Sequence, residues 1–188
     1  MRSVETTAKT VDEAIEIALK ELNVDPDYLF CATGCGVTQA GLLVGFKMMG
    51  LNCKLYGVTV SRRRKECISQ IDQLTKETTK ILELDLTIST DDILVLDQYI
   101  GEGYSIPSPE SIESIRLVAR TEGIFLDPIY TGKAMAGLTD LIKKRKIGLD
   151  KTVIFLHTGG SPSIFSYAPA ITSSKNSSNT RLDKDVSI

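Results

Sequence analysis

Histidine is almost missing from this sequence: His157 is the only one in 188 residues. Cysteine is sparse too, at Cys31, Cys35, Cys53 and Cys67, and no second close pair accompanies Cys31 and Cys35. Zinc sites and secreted disulfide frameworks need regularly spaced ligands, so no metal site is expected and the thiols are read as reduced. A surplus of one charge is also lacking. With 22 basic and 24 acidic residues the formal net charge is −2, which leaves no cationic excess to neutralise a run of phosphates, and nucleic acid is not expected as a partner. The one basic cluster, Ser61-Arg62-Arg63-Arg64-Lys65, reads as a solvated helix start. No stretch approaches the ~18 uninterrupted apolar residues of a membrane span. The N-terminal segment, with Arg2, Glu5 and Lys9, has no apolar leader. These absences point to a cytoplasmic protein without membrane contact.

What is present suits a globular α/β chain. Hydrophobic residues make up 42% and charged residues 24%, enough for one well-buried core. Val11, Ala14, Ile15, Ala18, Leu19 and Leu22 form one helical stripe, started by the capping box Thr10 and Glu13 and stopped at Asn23. Short apolar runs at 28–32, 54–60, 93–96, 124–126 and 152–156 read as strands. Between them, residues 39–49, 61–84 and 132–144 read as helices, as does the segment opened by Ser108-Pro109-Glu110 and closed by Gly123. Continuous apolar strands separated by helices imply an open parallel sheet with helices on both faces. From Thr172 onward the chain is polar and aperiodic and is expected to be a disordered tail over 172–188.

Three loops following expected strands should share one edge of the sheet, where open α/β sheets bind ligands. The first holds Gly34, Cys35, Gly36, Val37 and Thr38. Its glycines can turn backbone N–H groups toward an anion, the next helix adds its free N–H groups and positive dipole end, and Thr38 offers a hydroxyl. A plain tight connection fits the same residues. The second comprises Gly101-Glu102-Gly103-Tyr104-Ser105-Ile106-Pro107 and Asp127-Pro128-Ile129-Tyr130-Thr131-Gly132-Lys133. Tyrosines in proline-fixed loops can act as acid or base or stack on a ring, although a half-buried loop anchor is the plainer reading. The third, His157-Thr158-Gly159-Gly160-Ser161-Pro162, is a further turn, in which His157 can simply bond a backbone carbonyl.

Together and in this order, the stretches ATGCGVTQAG, GYSIPSPES, DPIYTGKAMAGL and FLHTGGSPSIFSY make residues 28–167 resemble the D-cysteine desulfhydrase and 1-aminocyclopropane-1-carboxylate deaminase family. These are pyridoxal-phosphate enzymes of the tryptophan-synthase-β fold type. The resemblance implies a cofactor, pyridoxal 5'-phosphate, held at its phosphate by Gly34, Cys35, Gly36, Val37 and Thr38. It implies that Tyr104 and Tyr130 approach a small amino-acid substrate as catalytic groups. Thr131 and Thr158 fall where the deaminases have glutamate and leucine and the desulfhydrases have small hydroxyl residues, both among the implied cofactor contacts. A neutral hydroxyl near the pyridine nitrogen favours β-elimination from a cysteine-like substrate, so D-cysteine desulfhydrase activity is expected ahead of cyclopropane ring opening.

Two departures from the family qualify that expectation. Cys35 and Val37 stand where the desulfhydrases usually show serine and glycine, and valine adds bulk and restricts φ beside the phosphate. The family's Schiff-base lysine lies upstream of the matching segment, so this chain is expected to lack it. Lys133 is the obvious substitute, yet it matches the family's own non-catalytic lysine and is expected to stay protonated near solvent or Asp127. The expected assembly is a homodimer, or a union with a missing N-terminal half. A rival reading is a non-catalytic binding protein with the same sheet. Residues 10–27 fit the family helix that precedes the phosphate-loop strand; residues 1–27 also resemble the small N-terminal module of the Jag family, associated with RNA-binding proteins, and the domain order is then 1–27, 28–171 and 172–188.

Overall fold

The computed structural model describes residues 25–173. The helix expected over residues 10–23 and nearly all of the polar tail lie outside the described residues. Four strands form one parallel sheet: β1 (Tyr28–Thr33), β2 (Lys54–Thr59), β3 (Leu94–Leu96) and β4 (Val153–Phe155), in the order β3-β2-β1-β4. The helices are α1 (Val37–Met48), α2 (Arg64–Ile81), α3 (Pro109–Glu122), α4 (Thr131–Lys143) and the short α5 (Ala168–Thr172).

The apolar run of β1 is continuous because both faces of the sheet are covered. Leu29 and Cys31 join a cluster with Leu42, Leu43 and Phe46 of α1 and Cys67 and Ile71 of α2. Phe30 and Ala32 point the other way, into a cluster with Ala134, Leu138 and Leu141 of α4. Alternation along one strand therefore feeds two cores. A third, smaller cluster of Ile115, Val118 and Leu126 lies between α3 and the chain that follows it.

Residues 124–126 are not a strand, contrary to the sequence reading. β4 already occupies the position beside β1. The 124–126 segment is not paired into the sheet; its Phe125 carbonyl meets side chains, His157 Nε2 at 2.9 Å and the Ser161 hydroxyl at 3.2 Å. Three apolar residues after a helix-ending Gly123 at φ 71° cannot distinguish a sheet partner from a packed connector. Helix bounds differ too, most at α1 and α2. α1 starts at Val37 rather than at residue 39, and α2 stops at Ile81, where Glu83 takes φ 51°. Thr172, the expected start of the tail, still ends α5, and the Arg116 guanidinium donates to the Ser173 carbonyl at 2.6 Å.

Candidate functional site

Strand order locates the site. From β1 the sheet grows one way through β2 and β3, then the chain returns to place β4 on the other side of β1. Loops leaving the carboxyl ends of β1 and β4 therefore part in opposite directions, at the kind of switch point where open α/β sheets bind ligands in a crevice. The loop after β1 contains residues 34–36, and the loop after β4 contains residues 156–160.

The first loop ends in Gly36, the N-cap of α1, at φ 86°, a left-handed conformation that disfavours any side chain. Its own Cβ would also lie 2.8 Å from Ile71. No side chain caps α1, whereas each of the other three long helices has at least one amide at its start held by a side chain. Asp97 accepts from Arg64 N at the start of α2 at 3.1 Å, Ser108 closes a capping box on α3, and the Asp127 carboxylate accepts from Ile129 N, Tyr130 N and Thr131 N at α4. The amides of Val37, Thr38 and Gln39 thus have no intrahelical partner and carry the positive end of the helix dipole. Val37 is 60% exposed, so its bulk is directed to solvent rather than into the loop. These residues fit a phosphate group.

Arg62 contributes where the sequence reading saw only a solvated helix start. Its Nη1 donates to the Gly34 carbonyl at 2.8 Å and so braces the loop from the neighbouring strand end. The Thr59 hydroxyl fixes that turn by accepting from Arg62 N at 3.2 Å and donating to Arg62 O at 2.9 Å. The available signal was positional: Arg62 follows β2, which is hydrogen-bonded beside β1. Gln39 braces the other side. It is fully buried, accepts from the Thr33 hydroxyl at 2.8 Å and donates to the Leu94 carbonyl at 2.9 Å, so it ties β1 to β3 across Gly57 of β2.

The loops meet. A Cβ on Gly34 would touch the Tyr130 ring at 3.3 Å, and one on Gly160 would touch Asp127 Cβ at 3.1 Å. Tyr130 and Tyr104 are hydrogen-bonded through their hydroxyls at 2.6 Å, with ring centroids 5.9 Å apart in an edge-to-face arrangement. The bond to Tyr104, aided by burial and nearby negative charge, pushes the Tyr130 phenol up to about 12. The shift makes Tyr130 a weaker acid than free tyrosine, and at neutral pH it is a neutral phenol.

Against known proteins, residues 4–159 match the model of a pyridoxal-phosphate dependent enzyme family. The chain belongs to the pyridoxal-phosphate-dependent enzymes. A solved ACC deaminase homologue is similar at 33% identity and TM-score 0.71, over 82% of this chain and 47% of that one. The processed form of threonine deaminase isoform 2 from Solanum lycopersicum shares the fold at 15% identity and TM-score 0.53, over 85% of this chain and 47% of that one. The chain spans about half the length of these structures.

As a member of this family the chain has its polar residues unevenly placed. Cys35 is exposed in the loop before α1, and Thr158 is exposed after β4. Thr131 is fully buried, and its hydroxyl donates to Asp127 Oδ1 at 2.7 Å while accepting from Asp127 N at 2.8 Å. Thr131 thus completes the α4 cap and keeps no hydroxyl proton for the crevice. The expected setting of Lys133, near solvent or Asp127, is incorrect. Lys133 is fully buried, and its Nζ donates to the carbonyls of Ile100 at 2.7 Å and Gly103 at 2.8 Å. Burial lowers its pKa, because a desolvated ammonium is disfavoured even with two carbonyl partners. Among the described residues no helix is long and apolar enough to cross a membrane.

Proposed function

We propose that this chain supplies the phosphate-holding and tyrosine-bearing half of a lyase acting on D-cysteine or a close analogue, releasing sulfide, ammonia and pyruvate with uptake of water. The observation that carries the reading is the convergence of an uncapped helix start at Gly36–Val37–Thr38 with the Tyr104–Tyr130 pair. Pyridoxal phosphate, when bound, supplies the electron sink that makes the substrate Cα acidic. The amides of Val37, Thr38 and Gln39 would bind its phosphate, with Arg62 holding the loop in shape. Tyr130, a neutral phenol hydrogen-bonded to Tyr104, would give a proton to the departing sulfur. Another lysine, outside the described residues or on a second polypeptide, would hold the cofactor, since the Lys133 amine is committed to two carbonyls.

Substrate preference follows from residues 131 and 158. The nearest carboxylate to Thr131, Asp127, is itself buried and saturated by backbone amides and the Thr131 hydroxyl. Thr158 offers only a neutral hydroxyl. This favours elimination of a good leaving group over ring opening. The second reading, an activity like that of 1-aminocyclopropane-1-carboxylate deaminase, is favoured by the description of the 33%-identical structure. The test is to co-express the chain with a polypeptide supplying the other half of the fold and assay both substrates. Sulfide from D-cysteine, with little ammonia from the cyclopropane amino acid, is expected. Ammonia from the cyclopropane substrate without sulfide from D-cysteine would reverse the assignment.

A further inference from the structure

Tyr104 sits in a loop with little to hold it. Its side chain is 52% exposed, Gly101 and Ser105 both take positive φ (69° and 62°), and no strand or helix covers residues 101–107. Ser105 is not glycine, so its left-handed backbone is unfavourable and persists only when neighbours enforce it. Two side chains do so, one on each side of Tyr104. The buried Lys133 Nζ bonds the Gly103 carbonyl at 2.8 Å and the Ile100 carbonyl at 2.7 Å. The Tyr167 hydroxyl donates to the Ser105 carbonyl at 2.8 Å. Lys133 lies in α4, one turn after Tyr130, and Tyr167 ends the 3-10 stretch Ser161–Tyr167 that follows the loop after β4.

We propose that Lys133 and Tyr167 form a two-point backbone clamp whose role is to set Tyr104 against Tyr130, making both of them positioning residues for the tyrosine pair. The clamp explains why a lysine with no carboxylate partner is buried at all. An ammonium donates in several directions, so one group can gather two carbonyls of a tight loop, and its cost of burial is offset by the bonds it makes. It also ties the loop carrying Tyr104 to the helix carrying Tyr130 and to the chain leaving β4, so that all three loops at the crevice share one geometry. The clamp rests on the reading that Tyr104 and Tyr130 serve the site, but its test needs neither cofactor nor substrate.

The sequence has six tyrosines and no tryptophan, so ring-labelled tyrosine can be followed by carbon NMR, with Tyr130→Phe identifying the Tyr130 signal. In the unaltered chain Tyr130 should ionise at about 12, and Tyr104→Phe should move that midpoint down. Tyr167→Phe and Lys133→Met, which leave both phenols of the pair in place, should each move it down toward the Tyr104→Phe value. Lys133→Met removes a buried cation and can fail to fold; Tyr167→Phe deletes one oxygen and decides the question alone. If the Tyr130 midpoint stays put in Tyr167→Phe, whatever happens to the melting temperature, the clamp does not position the pair. Failure of the unaltered, complemented enzyme to release sulfide, with the Tyr130 midpoint as expected, would instead count against the functional reading.

Discussion

At the scale of single residues, the four thiols illustrate how setting divides identical chemistry. Burial pushes Cys31 up to about 12, and burial with the nearby Asp27 carboxylate does the same for Cys53. Cys67 is 2% exposed. Cys31 and Cys53 are therefore not thiolates at neutral pH, and thiolate is the reactive form, while Cys67 is closed to reagents by burial. Cys35 is exposed, in the loop before α1. A disulfide reagent at pH 7.5 should therefore titrate one thiol rapidly and the others only on unfolding, with the label mapping to Cys35. For Cys31 and Cys53 the neutral thiol is the form that folding favours. Their contribution to stability is complete below the ordinary thiol range and is lost as pH rises toward about 12. Rapid labelling of two or more thiols in the folded chain would show that the core around β1 is looser than described.

At the scale of elements, Asp127 governs the start of α4. One carboxylate oxygen accepts from Ile129 N and Tyr130 N, each at 2.8 Å, and the other accepts from Thr131 N and the Thr131 hydroxyl, each at 2.7 Å. Asp127→Asn would turn an NH2 group against donors already pointing inward. Leaving buried donors unsatisfied costs about 1–3 kcal/mol, so the urea midpoint should fall by that equivalent with an unchanged slope; a midpoint within error of the parent would show that α4 does not depend on this cap. Sequence patterning made most of the elements legible. Ser108, Pro109 and Gly123 marked both ends of α3, and the unbroken apolar run of β1 announced a strand covered on both faces. The same patterning failed at residues 124–126, where pairing depends on which strand reaches β1 first. That is a property of the whole sheet and not of three residues.

At the scale of the whole molecule, the sheet has an open edge among the described residues. β4 is an edge strand, and Val153, Ile154 and Phe155 are only half-buried there, while Phe125 and Phe165 are 61% and 82% exposed. The chain spans 47% of the ACC deaminase homologue it matches. Candidate site residues were legible to different depths. The loop 34–38 and both tyrosines could be named because their motifs are local. Arg62, Gln39 and Tyr167 could not, since each acts on a backbone carbonyl or hydroxyl brought near only by the fold: Gly34, Leu94 and Ser105. Thr131 matched the motif, yet the structure turns its hydroxyl to Asp127.

The central claim is that the start of α1 receives the phosphate of pyridoxal phosphate. It is tested most directly by amide proton–nitrogen NMR of the labelled chain titrated with pyridoxal phosphate and, separately, with pyridoxal. The account predicts saturable shifts at Gly36, Val37, Thr38 and Gln39 with the phosphorylated compound, and at most small shifts there with pyridoxal. Equal shifts with both compounds, or shifts that leave these four amides unmoved, would contradict it.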